Sequence, residues 1–220
     1  MKGLFVTGTD TEVGKTHFVC EYARRLIEQG LSIGVYKPLA SGFPREDHRS
    51  DASRLHRSLG KLGANIQLEQ INPQCFLAPL APPLAARSEG RQIDETLLVC
   101  GAEAWREHCE MLLVEGAGGL LSPITWTMTN ADLACKLGYP ILVVAENRLG
   151  CVHQILSTVQ IAKTMGLSVE AVVLNQVRPL VDTAQVQNRE LLEPFLQRID
   201  PKIAIWEQPY APEFPLSPKD

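Results

Sequence analysis

Three apolar runs in the second half of the chain, residues 111–114, 141–145 and 171–174, show no alternation of polar and apolar positions. A strand that is apolar at every position has to be covered on both faces. That is the condition of a strand inside a parallel sheet flanked by helices. Two shorter runs, 4–6 and 33–36, extend the pattern towards the N-terminus. Helices are predicted over 16–29, ended by Gly30, over 51–62, ended by Gly63, and over 94–107, 130–138, 150–165 and 183–198. Strand and helix alternating along one chain predict an α/β fold: a doubly wound, mainly parallel sheet with right-handed crossovers and helices on both faces. Residues 72–90, rich in Pro and Ala, read as a surface excursion, and residues 200–220 as a proline-rich, loop-rich tail.

No repeat or low-complexity linker interrupts this order, so 1–220 is expected to be a single domain. A formal net charge of −4 provides no basic surface for nucleic acid or anionic membrane, so an anionic ligand has to be held by local features. No apolar run approaches the roughly 20 residues of a membrane span. The N-terminal apolar run also meets Thr7 and Gly8 too early for a signal peptide, which makes a cytoplasmic protein the expectation. The cysteines at 20, 75, 100, 109, 135 and 151 form no CxxC pair and no Cys/His grouping of zinc spacing. They are read as reduced thiols without a role.

The chemistry begins after the first strand, with Gly8-Thr9-Asp10-Thr11-Glu12-Val13-Gly14-Lys15-Thr16 and then a helix. This is a phosphate-binding loop in the context it requires, one residue longer than the usual spacing. Backbone N–H groups of the loop and of the helix start, Val13, Gly14 and His17 among them, converge on phosphate oxygens at the positive end of the macrodipole. Lys15 adds charge near the β- and γ-phosphates, and Thr16 offers a hydroxyl to Mg²⁺. An acid is then needed at the carboxyl end of a neighbouring buried strand. Glu115 stands there, followed by Gly116-Ala117-Gly118-Gly119, whose glycines let the chain come close to a ligand. An acid facing a triphosphate requires a cation between the two, which implies Mg²⁺. Taken alone, Glu115 also reads as a strand-end acid before a turn, Asp51 as a capping acid of its helix, and Lys37 as an exposed lysine.

The segment from Val6 to Thr16 resembles the signature of the dethiobiotin synthetases, extra residue included. Further blocks agree in order and spacing: Tyr36-Lys37-Pro38-Leu39-Ala40-Ser41-Gly42, Ser50-Asp51-Ala52, Asn72-Pro73 with Phe76 and Pro79, Val114-Glu115-Gly116-Ala117-Gly118-Gly119, Leu149-Gly150-Cys151 and Leu174-Asn175. The resemblance runs to about residue 180. It implies closure of the ureido ring of dethiobiotin from 7,8-diaminononanoate, CO₂ (or bicarbonate) and ATP with Mg²⁺. A carbamate oxygen attacks the γ-phosphate, and the second amine then displaces phosphate.

The same resemblance implies roles for individual residues. Lys37 would hold the carbamate and the transferring phosphoryl group, with Lys15 at the β- and γ-phosphates, Thr11 and Ser41 hydrogen-bonded to substrate, and Glu12 near the diamine. Thr16, Asp51 and Glu115 would surround Mg²⁺. The helix start at Gly150, Cys151 and Val152 would receive the substrate's tail carboxylate across a homodimer interface, and Asn175 with Gln176 would read the adenine. Two rival classes fit less well. A partitioning ATPase places a second lysine early in the loop, where this chain has Asp10. An amidotransferase-linked synthetase needs a further domain of roughly 200 residues.

Overall fold

The computed structural model describes residues 1–179 and 183–211. Its chain starts with β1 (Lys2–Gly8) and α1 (Lys15–Glu28), followed by β2 (Ile33–Tyr36), β3 (Leu39–Ser41), α2 (Asp51–Ser58) and α3 (Leu68–Ile71). Then come β4 (Gln74–Phe76), α4 (Pro82–Ser88), α5 (Glu95–Glu103) and β5 (Met111–Gly119). The last part is α6 (Asn130–Leu137), β6 (Ile141–Glu146), α7 (Cys151–Thr164), β7 (Val169–Asn175), α8 (Thr183–Ile199) and β8 (Ala204–Gln208).

The main sheet has six strands in the order β2-β5-β1-β6-β7-β8, and every pairing between its strands is parallel. The unalternating apolar runs lie inside it as expected: Phe5, Leu113, Val143 and Val173 are fully buried. Each such side chain contributes roughly 1.5–3 kcal/mol relative to exposure. The winding runs to β2 on one side of β1 and to β6, β7 and β8 on the other. The carboxyl end of β1 therefore lies at the switch point, where open sheets of this kind leave a crevice.

Register decides what meets in that crevice. Val6 is level with Glu115, and Tyr36 is level with Val114, so Lys37 leaves β2 beside Glu115. One sheet edge thus receives the loop after β1, the lysine after β2 and the acid within β5.

The structure departs from the sequence expectation where short-range signals were weak. The excursion at 72–90 is ordered. β3 and β4 pair in parallel as a second small sheet, and α4 starts on Pro82, burying Phe76, Ala85 and Ala86. The helix predicted over 51–62 stops at Ser58 and continues as a 3₁₀ turn from Gly60 to Asn65, because Gly60 takes φ 53°. The one predicted over 94–107 likewise ends at Glu103 and tightens to a 3₁₀ turn over Ala104–Glu107. β5 continues past residue 114 to Gly119. The tail contains β8, which closes the sheet edge against β7 and is tied to α1 by Arg25 Nη2 donating to Gln208 Oε1 at 2.7 Å. The rest of that predicted tail, 212–220, lies outside the described residues.

Candidate active site

The helix starts around the sheet edge differ in how they are capped. α2, α5 and α6 are closed by side chains: Ser50 accepts from Ser53 N, Asp94 from Leu97 N, and Thr129 from Asp132 N. α1 and α7 begin on glycines, Gly14 at φ 81° and Gly150 at φ 90°, with no capping side chain and no acid in the first turn. At the start of α1 the first amides and the positive end of the macrodipole are left for an anion. The loop before it is wound tightly. A Cβ on Gly8 would meet Asp10 O at 2.6 Å, and Glu12 holds φ 58°, the one non-glycine residue in that region of backbone among those described.

A side chain on Gly14 would collide with the Asn175 amide, whose Nδ2 donates to Val13 O at 2.9 Å and to Gly14 O at 3.4 Å. Gly14→Ala is therefore expected to lose roughly 1–2 kcal/mol from the left-handed backbone alone. Nucleotide binding should be lost with it, as the collision pushes the loop off Asn175. Calorimetry with ADP and a melting curve check this. A variant binding ADP as tightly as the native chain would refute it.

Lys15 closes over its own loop, Nζ donating to Asp10 O at 2.9 Å. Its pKa falls to about 8, first because it is buried and second because Lys37 is near. Between about 8 and the ordinary 10.5 the folded chain holds less proton here than the unfolded one, so this group makes stability rise with pH in that window. Phosphate binding reverses the balance by favouring the charged lysine. Free-protein affinity for ADP is thus expected to weaken as pH rises through about 8, with proton uptake on binding above it. Calorimetry in buffers of different ionisation enthalpy measures that uptake, and a pH-independent affinity without uptake would contradict it.

Beyond the loop, three oxygen-bearing side chains and one ammonium converge. Thr16 Oγ1 lies 2.8 Å from Asp51 Oδ1 and 2.8 Å from Glu115 Oε1. Lys37 Nζ lies 2.8 Å from Asp51 Oδ2, 2.7 Å from Glu115 Oε1 and 3.2 Å from Gly116 O. Lys37 and Glu115 are 3% and 1% exposed, so neither is the surface residue that either would be when read alone. Burial works against the Lys37 ammonium, but Asp51 and Glu115 outweigh it and hold the proton on. Burial likewise opposes the Asp51 carboxylate, and Lys37 overcomes it, so Asp51 stays ionised. For Glu115 burial prevails, and its proton affinity is raised.

Thr16 has one hydroxyl proton for two carboxylate oxygens, and Glu115 Oε2 is buried with no partner. This excess of acceptors fits a divalent cation. Two carboxylates and a hydroxyl suit Mg²⁺, which takes few protein ligands and keeps water and phosphate oxygens.

These groups line a cavity of about 640 Å³ at the carboxyl edge of the sheet. Of the residues expected at the site, Thr11, Glu12, Gly14, Lys15, Thr16, His17, Lys37, Ser41, Asp51, Glu115, Ala117, Gly118 and Gln176 form its wall. Val13 and Gly116 stand behind it. Val13 is buried in the core, and Gly116 lies where a Cβ would meet Asn130 Oδ1 at 2.8 Å.

Asn175 has a task within the fold beside the purine edge expected of it. Its Nδ2 is committed to the loop carbonyls, and its Oδ1 is buried and unpartnered. Gly150, Cys151 and Val152 do not reach this cavity in one chain, since they start α7 at another part of the edge and Cys151 is fully buried. Ser41 Oγ donates to Leu80 O at 2.7 Å.

Further contributors were not singled out in the sequence. Asn130, fully within the fold, clasps the carboxyl end of β5: its Nδ2 donates to Ala117 O and Gly119 O, and its Oδ1 accepts from Ala117 N. Nothing in the local sequence signals this across a gap of that length. Arg54 and Tyr210 also line the cavity. Helical spacing from Asp51 points to Arg54. Asn72, noted within its block, has a visible task here, donating to Lys37 O at 2.8 Å and fixing the end of β2.

The loop, the uncapped α1 and the acid-lysine cluster at the switch point define a P-loop nucleotide-binding protein. "ATP-dependent dethiobiotin synthetase BioD" of Anaeromyxobacter dehalogenans (strain 2CP-C) is 41% identical over 94% of this chain and 91% of its own length. Proteins of the same name from Anaeromyxobacter sp. (strain Fw109-5) and Caulobacter vibrioides (strain NA1000 / CB15N) are 47% and 40% identical, each over 80% of this chain and over 77% and 80% of their own lengths. The chain belongs to the ATP-dependent dethiobiotin synthetase family. A family model described as an AAA domain matches residues 2–200. The fold is shared with hydrogenase maturation factor HypB of Archaeoglobus fulgidus (TM-score 0.53, 16% identity, 95% of this chain and 81% of that one). It is shared as well with the MinC:MinD cell division complex of Aquifex aeolicus (0.57, 12%, 97% and 83%).

Proposed function

We propose that this protein closes the ureido ring of dethiobiotin from 7,8-diaminononanoate, CO₂ and ATP, releasing ADP and phosphate. The observation that carries the reading is the convergence of Lys15, Thr16, Lys37, Asp51 and Glu115 on one cavity behind a phosphate-binding loop. Carbamate, triphosphate and the substrate's carboxylate are all anionic, and phosphoryl transfer demands positioning and charge neutralisation more than covalent help.

In this reading α1's free amides hold the triphosphate, and Lys15 leaves Asp10 O for the β- and γ-phosphates. Lys37 holds the carbamate oxygen in line with the γ-phosphorus, where ADP departs. Thr11 and Glu12 face the diamine, with Ser41 beside it. The second amine then attacks the carbamoyl carbon, phosphate leaves with its oxygen, and the nitrogen's proton passes to water. Thr16, Asp51 and Glu115 would hold Mg²⁺, which neutralises phosphate charge when bound.

The tail carboxylate of the substrate is assigned to Gly150, Cys151 and Val152 of a second copy. Support comes from the uncapped start of α7 and from Leu149, 79% exposed, directly before it. Gln176, with Asn175 behind it, is assigned to the adenine. Free cysteines throughout the described residues and no described helix long and apolar enough to cross a membrane support a cytoplasmic setting.

The test incubates the purified protein with 7,8-diaminononanoate, bicarbonate, Mg²⁺ and ATP and follows dethiobiotin and phosphate. Diamine-dependent formation of both is expected. ATP hydrolysis indifferent to the diamine would overturn the proposal in favour of a nucleotide-driven switch.

A further inference from the structure

Arg54 lies three residues after Asp51 on α2, hence on the same helix face, and lines the reaction cavity beside Asp51 and Lys37. It also lines a smaller pocket of about 220 Å³ that shares Ala40, Ser41, Asp51 and Arg54 with the main cavity. Those shared residues mark the Ser41 end of the cavity, away from Gln176 and Tyr210. α2 packs beside α1, and Arg54 stands on the wall of the cavity that Lys15, Thr16 and His17 at the start of α1 also line. A guanidinium keeps its charge at every relevant pH and presents a planar fork that matches two phosphate oxygens.

We propose that Arg54 is a phosphate-contacting residue of this cavity that engages the terminal, transferring phosphoryl group of the nucleotide. The proposal deepens the nucleotide part of the function given above and is independent of the identity of the amine substrate. Because the group it engages is absent from ADP, it sets the preference for a triphosphate over a diphosphate.

The experiment titrates the full chain with Mg²⁺ and either a non-hydrolysable ATP analogue or ADP. Native chain, Arg54→Ala, Arg54→Lys and Arg57→Ala are compared, the last altering an exposed arginine that donates to His48 O. Arg54→Ala should weaken the triphosphate analogue by roughly 10- to 100-fold, the worth of a charge-assisted hydrogen bond, while ADP changes little. Arg54→Lys should fall between, and Arg57→Ala should bind as the native chain does. If Arg54→Ala does not fold, as judged by melting, Arg54→Lys decides on the same ratio. An unchanged ratio of triphosphate to diphosphate affinity, whether both weaken or neither does, overturns the proposal. Failure of the native chain to make dethiobiotin would instead refute the ligase reading and leave this ratio to be measured.

Discussion

Replacing Lys37 with methionine is expected to lower turnover by roughly 100- to 1,000-fold, the usual cost of removing one preorganised charge donor from developing negative charge. ADP affinity should stay near that of the native chain, because the loop amides, Lys15 and Thr16 are untouched. A second effect should appear in the protein alone. Lys37 is the cation between Asp51 and Glu115, both within 2.8 Å. Removing it leaves the buried Glu115 carboxylate facing the part-exposed one of Asp51, and loss of one partner from a buried pair typically costs roughly 3–5 kcal/mol. The loss should lie near the lower figure, since Glu115, its proton affinity already raised by burial, can take up a proton.

Mg²⁺ alone should then raise the melting temperature of the variant more than that of the native chain, in which the ion has to displace an ammonium. Turnover assays and melting curves with and without Mg²⁺ read both effects. Turnover near the native level would remove Lys37 from the chemistry. Equal responses to Mg²⁺ would show that its ammonium does not stand where the cation binds.

The second large effect is expected of Thr16→Val, which keeps the shape of the side chain and removes the hydroxyl that both carboxylates meet at 2.8 Å. Mg²⁺-dependent enhancement of nucleotide binding should fall by roughly 100-fold, at the upper end of what a supporting contact contributes to a metal site. Turnover should drop with it, and Thr16→Ser should restore most of both. Binding of ADP without Mg²⁺ should change little, since the amides of α1 remain. If the valine variant still gained full affinity from Mg²⁺, the metal would have to be held elsewhere than between Thr16, Asp51 and Glu115.

The site was legible in the sequence to the extent that its parts are local. The phosphate loop announces itself because its glycines, lysine and threonine must be contiguous and must sit between a strand and a helix. The same holds for β2, β6 and β7, whose apolar runs need no partner to be recognised as doubly covered strands. Regions that take their structure from distant contacts were read less well. β3 and β4 are three residues each and pair only because α4 and Arg91, stacked over Phe76 at 4.5 Å, pack beside them. β8 is an edge strand with a mixed burial pattern, so its residues look like loop until β7 offers its free edge. Asn130 is 13 positions from Ala117, and no spacing rule links a helix start to a strand end across such a gap.

By itself the sequence determined the layered α/β class, the phosphate loop and the set of charged residues available to it, because periodicity and contiguous motifs are properties of the chain alone. Tertiary structure decided which of those charges meet. Only the parallel register of β1, β2 and β5 brings Lys37 level with Glu115, buries both, and makes one threonine proton serve two carboxylates. Only packing turns Asn175 towards the loop carbonyls and sets Arg54 on the cavity wall. Distances between residues far apart in sequence follow from how the strands align, and that alignment is settled by the whole core at once.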